Sequence, residues 1–215
     1  SAISRLLEEQ TTGSSGKLPG SRRRLGLRLK KAKLRLNASV GNIDYRTPKT
    51  PVLQLSSCQW IEEHLNVLIT GPTGVGKSFL ACALGQKACR EDYRTSYFRL
   101  PRLLQELSIA RVDAPKEELT TLARTELLII DDWDLRPFDD QGQHDLLEIL
   151  EDRYNVRSTI VTSQLPVSNW HEAIADSTLA DAILDRLVHN AYQINLKGES
   201  MRKKIKTLDS SRPLG

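Results

Sequence analysis

The stretch Gly71-Pro72-Thr73-Gly74-Val75-Gly76-Lys77-Ser78 follows a short apolar run, Leu65 to Ile69, and precedes apolar residues at helical spacing from Phe79 to Ala88. It fits G-x-x-x-x-G-K-[ST], and strand, glycine loop and helix in that order are the context that separates a phosphate-binding loop from a chance Gly-rich turn. Gly71, Gly74 and Gly76 admit positive φ, so successive backbone N–H groups, those of Thr73 and Val75 among them, can curl around phosphate oxygens beyond Pro72. The helix starting near Lys77 adds its positive end. Lys77 has the reach for β- and γ-phosphates, and the Ser78 hydroxyl suits Mg²⁺. The reading is therefore an α/β P-loop chain that cradles a polyphosphate together with Mg²⁺.

A second apolar run, Leu127-Leu128-Ile129-Ile130, ends in Asp131-Asp132. A continuous apolar run marks a strand buried on both faces. Asp131, at its carboxyl end, is expected to hold Mg²⁺ directly or through water, and Asp132 to orient the attacking water. Adjacent acids alone can simply begin a turn. A third strand, Ser158 to Gln164, is β-branched and ends in polar residues; Gln164 is the candidate to sense the γ-phosphate or the lytic water. Hydrolysis in such a site is positioning and charge stabilisation, so a further cation is required for the transition state.

Between these strands, Thr95 to Arg99 reads as a strand, residues after Pro101 as a helix carrying Leu103, Leu104 and Leu107, and Lys116 to Arg124 as a short helix. Trp133 to Gln141 reads as a loop and Asp145 to Tyr154 as a helix. Alternating helices and strands predict a central parallel sheet flanked by helices. Val52 to His64 reads as one helix feeding the P-loop strand.

The chain of 215 residues has 39% apolar and 27% charged residues, and no apolar run approaches the roughly 18 residues of a membrane span. No secretory leader pattern opens it, and a cytoplasmic location is expected. Cys82 and Cys89 lie about 10 Å apart along one predicted helix, too far to bridge. No cysteine or histidine spacing calls for a metal beyond nucleotide-bound Mg²⁺.

The net charge of +4 conceals an asymmetry: no Asp or Glu occurs between Glu9 and Asp44. That span holds Lys17, Arg22, Arg23, Arg24, Arg28, Lys30, Lys31, Lys33 and Arg35, with Leu25, Leu29, Ala32 and Leu36 at helical spacing. A basic helix with one apolar stripe can bind nucleic acid through counterion release. The alternatives are a solvated helix, or leucines docked on a partner or on the chain's own core. The expected organisation is a flexible segment over 1–20, a basic helix and linker over 21–51, the nucleotide domain over 52–204 and a tail over 205–215. Tyr45, in the linker, could cover an adenine ring or serve packing.

Taken together, the P-loop, Asp131-Asp132, Thr162-Ser163-Gln164-Leu165-Pro166, Leu184-Asp185-Arg186-Leu187 and Lys197-Gly198-Glu199-Ser200-Met201-Arg202 resemble the IstB-like ATP-binding proteins. The resemblance runs from about Arg22 to Lys204. These are AAA+ ATPases encoded beside insertion-sequence transposases and related to replicative helicase loaders. The resemblance implies a small helical lid and a longer helical N-terminal domain than the first twenty residues suggest. It also implies an arginine finger at Arg186, in the lid, reaching a neighbouring subunit's nucleotide, and a sensor arginine at Arg202. Salt bridging to Asp181 or Asp185 is the alternative for Arg186, and a basic tail the alternative for Arg202. Relatives often carry Glu in place of Asp132 and Asn in place of Gln164; the shorter acid implies slow turnover. The implied function is an ATPase that oligomerises on duplex DNA and helps a transposase select its target. A helicase loader on single-stranded DNA, a non-hydrolysing nucleotide switch and a decayed transposon remnant fit the same motifs.

Overall fold

The structure, a computed structural model, describes residues 19–43, 49–113, 121–133, 140–174 and 176–198. In chain order the elements are α1 (Pro19–Ala32), α2 (Lys49–Leu55), α3 (Gln59–Glu62), β1 (Asn66–Thr70), α4 (Lys77–Arg90), β2 (Thr95–Arg99) and α5 (Leu100–Asp113). Then follow β3 (Leu127–Asp131), α6 (Asp140–Arg153), β4 (Ser158–Ser163), α7 (Trp170–Ala173), α8 (Ser177–Val188) and β5 (Ala191–Asn195). All strand pairs are parallel, in the order β2-β3-β4-β1-β5. The expected parallel sheet between helices is thus the architecture found.

Burial follows position in the sheet. Every residue of β1, β3 and β4 is buried, as unbroken apolar or small-residue runs require when helices cover both faces. The edge strands alternate or face solvent. Each fully buried Leu or Ile adds about 1.5–3 kcal/mol, and two cores form. One lies between α4 and the sheet, around Val67, Ile69, Leu80, Leu84 and Ile129. The other lies between α5, α6, α8 and the sheet, around Leu68, Leu103, Ile130, Leu150 and Leu187. Trp133 and Trp170, both fully buried, stack obliquely at 5.6 Å and fasten the exit from β3 to α7.

The basic segment is part of this assembly. Ala32 and Ala38 are buried, and Leu34, Val40 and Ile43 pack on the α4-side core. A Cβ on Gly85 would lie 2.6 Å from Ile129 Cδ1 and 3.1 Å from Leu34 Cδ2, so glycine is what lets α4 approach both the sheet and this segment. Arg28 donates to the Cys89 carbonyl at 3.0 Å and pairs with Asp92, tying α1 to the end of α4. Docking on the chain's own core, one of the alternatives for the apolar stripe, is therefore what Ala32 and its neighbours do. Leu36 does not extend the stripe: α1 ends at Ala32, Lys33 takes φ 51°, and Leu36 is exposed.

Three further expectations are corrected. Val52 to His64 is two short helices, broken where Cys58 adopts φ 61° and Ser56 donates back to the Val52 carbonyl. Arg186 lies in α8, the connection from β4 to β5 inside the α/β unit, and not in a lid. The strand β5 itself had no sequence expectation. The first eighteen residues, Tyr45, 114–120, 134–139 and everything beyond Gly198 lie outside the described residues. Residues 121–124 are helical, and α6 begins at Asp140, earlier than expected. Among the described residues no helix is long and apolar enough to cross a membrane.

At the amino end of the sheet Arg153 is almost wholly buried. It donates to the carbonyls of Leu122 (2.7 Å), Thr125 (2.6 Å) and Ser158 (2.5 Å) and to Thr159 Oγ1 (3.1 Å). Burial pushes its guanidinium down to about 9, so the charge survives at neutral pH. Those acceptors belong to two segments, 122–125 and the start of β4, that no apolar side chain could join. Arg153→Leu is expected to destabilise the fold by about 3 kcal/mol, because buried acceptors lose their donors, whereas Arg153→Lys loses less; urea unfolding followed by circular dichroism reads both.

Candidate nucleotide site

Parallel strands bring their carboxyl ends to one edge, and the register sets which residues meet there. Thr70 pairs with Ser163 and with Asn195, and Arg99 pairs with Asp131. From β1 the chain runs through α4 toward β2, and from the adjacent β4 it runs through α8 toward β5, on the other side, so the sheet reverses direction between β1 and β4, the position at which open α/β sheets bind ligands.

The loop Gly71 to Ser78 turns from β1 into α4 at this edge. Gly71 has φ +141°, and a Cβ there would sit 2.3 Å from the Leu196 carbonyl oxygen, so no other residue fits beside β5. Gly74 (φ 87°) and Gly76 (φ 103°) supply the remaining left-handed turns. Pro72 and Thr73 are exposed, and Val75 rests partly on the core. Lys77 Nζ curls over its own loop, donating to the carbonyls of Gly71 (2.6 Å) and Pro72 (2.9 Å).

Asp131 is fully buried at the end of β3 and gathers three hydroxyl donors. These are Ser78 Oγ at 2.8 and 3.0 Å, Thr162 Oγ1 at 2.5 Å and Tyr97 Oη at 2.5 Å. Burial and the bond to Asp131 push the Tyr97 phenol far above its ordinary range, so it stays a donor. Arg35 Nη1 lies 3.7 Å from Asp131 Oδ2. A divalent cation fits this donor set: a carboxylate and a hydroxyl 2.8 Å apart, both oxygen ligands, next to a phosphate cradle. Ser78 and Asp131 are the residues that would hold Mg²⁺.

Asp132 leaves the strand with φ 58°, a conformation Asp tolerates. Its carboxylate is gripped by Arg99 from β2, at 2.7 Å from Nε and 2.5 Å from Nη2, which raises the Arg99 guanidinium further. Gln164, just past β4 and exposed, accepts from Thr73 Oγ1 at 2.5 Å. Lys77, Ser78, Asp131, Asp132 and Gln164 are thus brought to one edge from three separate segments.

Arg186 is not at that edge. Its own carbonyl accepts from Asn66 Nδ2 at 3.1 Å, at the start of β1. By strand rise that is roughly 13 Å below the P-loop end. The side chain pairs with Asp185 (2.7 Å), one of the two partners named as its alternative, and with Glu151 (3.5 Å), and lies 5.3 Å over the Tyr154 ring. Arg202 lies outside the described residues.

Of the basic residues, Arg22, Arg23, Arg24, Lys30, Lys31 and Lys33 are exposed, whereas Arg28 is engaged with α4 and Arg35 turns toward Asp131. Sequence reasoning missed Tyr97, Arg99 and Thr162, and gave Thr73 only a backbone role, without the side-chain bond to Gln164. For Tyr97 and Arg99 the signal was there: two polar-tipped residues on alternate positions at the end of a strand, one of them directly opposite Asp131 once the strands align.

Residues 12–209 match the family model described as IstB-like ATP binding protein. An insertion sequence ATP-binding protein of Sinorhizobium fredii is 55% identical over 186 residues, covering 84% of this chain and 76% of its own length. Another, from Pseudomonas fluorescens, is 42% identical, covering 77% of this chain and 81% of its own. Among solved structures, the DnaC helicase loader superposes with a TM-score of 0.64 at 20% identity, over 77% of this chain and 100% of that one. DnaI gives 0.67 at 18%, over 75% and 92%. These two show the fold, that of P-loop AAA+ proteins. The matched family model, the two insertion-sequence relatives and the phosphate loop beside a buried carboxylate place this chain in the IstB-like ATP-binding protein family.

Proposed function

We propose that the chain is an Mg²⁺-dependent ATPase that assembles on duplex DNA in the cytoplasm and assists the transposase of its insertion sequence in choosing or engaging a target. The observation that carries this reading is the convergence of Lys77, Ser78, Asp131, Asp132 and Gln164 at the carboxyl edge of the sheet, with a solvent-facing basic helix docked on the same α4 that begins in the P-loop.

The backbone N–H groups from Thr73 to Ser78 cradle the phosphates, and Lys77 exchanges two carbonyls for phosphate oxygens. Mg²⁺, when bound between Ser78 and Asp131, supplies positive charge to the transferring phosphate. Asp132 accepts a proton from, and orients, the attacking water once it is released from Arg99; Gln164 exchanges Thr73 for the γ-phosphate or that water. Arg186 lies at the far end of β1 from its own loop, which supports its acting on a neighbouring subunit's nucleotide. The ion pairs to Asp185 and Glu151 must then open when subunits meet. Arg202 is proposed as a sensor of the bound nucleotide. Hydrolysis completed only at an interface makes ATP both glue and timer for the DNA complex.

The helicase-loader reading shares the fold and differs in DNA. Affinity for duplex above single strands is the expected result, and the reverse would favour a loader. Steady-state phosphate release is expected to rise with duplex DNA and to fall at least about 100-fold in Lys77→Ala and Arg186→Ala, since a trans arginine contributes about 10³–10⁵ in rate. Nucleotide binding with no release in the unmodified chain would instead identify a non-hydrolysing switch. For the basic helix, the double change Lys30→Ala with Lys31→Ala is expected to reduce the slope of log K against log salt by about 2, at about 0.9 per phosphate contact. Arg28→Ala is expected to leave that slope unchanged, because Arg28 faces α4.

A further inference from the structure

Arg35 belongs by composition to the basic run, but its guanidinium is turned to the metal carboxylate. Nη1 stands 3.7 Å from Asp131 Oδ2, the same oxygen that accepts from Tyr97. Its place is set by the segment that carries it. The residues beside it are pinned by buried Ala32 and Ala38, by Leu34 against the core, and by Gln86 Nε2 donating to Asn37 Oδ1 at 3.0 Å. The backbone of Arg35 and Leu36 lies within hydrogen-bonding reach of the buried Cys82 thiol, one turn beyond Ser78 on α4.

One buried carboxylate is therefore addressed by a cation carried on a docked N-terminal segment on one side and by Ser78, the proposed metal ligand, on the other. A divalent ion at Ser78 and Asp131 would meet the Arg35 charge within a few ångströms, in a site where solvent screens one partner only: the Arg35 side chain is 44% exposed and Asp131 0%. Like charges so placed oppose each other.

We propose that Arg35 is a positioning residue that competes with Mg²⁺ for Asp131, so that the docked 33–38 segment holds the site at low metal affinity and its displacement raises that affinity. This rests on the reading of Asp131 as the metal carboxylate. By linkage, Mg²⁺ loosens the segment by the same factor that the segment weakens Mg²⁺. A partner that draws α1 away from α4 would thereby load metal, which joins the basic surface to the nucleotide site within one chain.

The test is binding of a fluorescent ATP analogue by the full chain, titrated with Mg²⁺ and compared with binding in EDTA. Arg35→Gln keeps the side chain's length without its charge and is expected to lower the Mg²⁺ midpoint about fivefold, with EDTA binding unchanged. Arg35→Lys is expected to restore a midpoint near that of the unmodified chain. Thermal unfolding verifies that both variants fold. An unchanged or raised midpoint in Arg35→Gln overturns the proposal. Asp131→Asn separates the two levels: if it leaves the Mg²⁺ dependence untouched, the assignment of Asp131 fails and the competition with it; if it abolishes that dependence while Arg35→Gln does nothing, only the competition fails.

Discussion

The carboxylate of Asp131 is the group around which the functional edge is built. A charge with no exposed surface costs several kcal/mol of desolvation unless it is densely bonded. Here that cost is offset by hydroxyls from three elements: Ser78 on α4, Tyr97 on β2 and Thr162 on β4. Each bond holds only if the strands keep their order and register. The β2 and β4 strands must flank β3, and α4 must lie close enough for its first turn to reach across. Gly85, where a side chain would strike Ile129, is the residue that permits that approach.

The same helix carries the consequences outward. Its first turn closes the phosphate loop, and its last turn is held by Arg28 at the Cys89 carbonyl. The segment from α1 to the turn at Val40–Asn42 lies along it, with Leu34 in the core between. A displacement of α1 therefore acts on a helix whose other end binds phosphate. That is the route from the basic surface to the nucleotide on which the proposal for Arg35 relies.

The side chains proposed for catalysis are each held by another part of the chain. Lys77 holds loop carbonyls, Thr73 bonds Gln164, and Arg99 grips Asp132. None of these is a strong anchor compared with a polyphosphate, since each is exposed or half-exposed and exchanges with water easily. They keep the side chains near their places while leaving them replaceable. The buried contact, Asp131 with its hydroxyls, stays fixed while the exposed ones can turn over.

Much of this was readable before the fold. Continuous apolar runs ending in Gly71 and in Asp131-Asp132 fix buried parallel strands, because period and length decide which residues can be covered on both faces. The spacing of Gly71, Gly76, Lys77 and Ser78 fixes the phosphate loop, because backbone conformation there is local. The sequence could not show that Arg28 turns to α4 or that Arg35, still partly exposed, reaches toward Asp131, since composition is blind to direction. Nor could it place Arg186, whose helix returns to a fifth strand, β5, with too short and weak an alternation to be seen alone. What the chain determined by itself is what depends on neighbours in sequence: strand, loop and helix. What only the tertiary structure decided is which distant side chains face Asp131, because that is set by strand order and by the closeness of α4, properties shared among segments far apart in the chain.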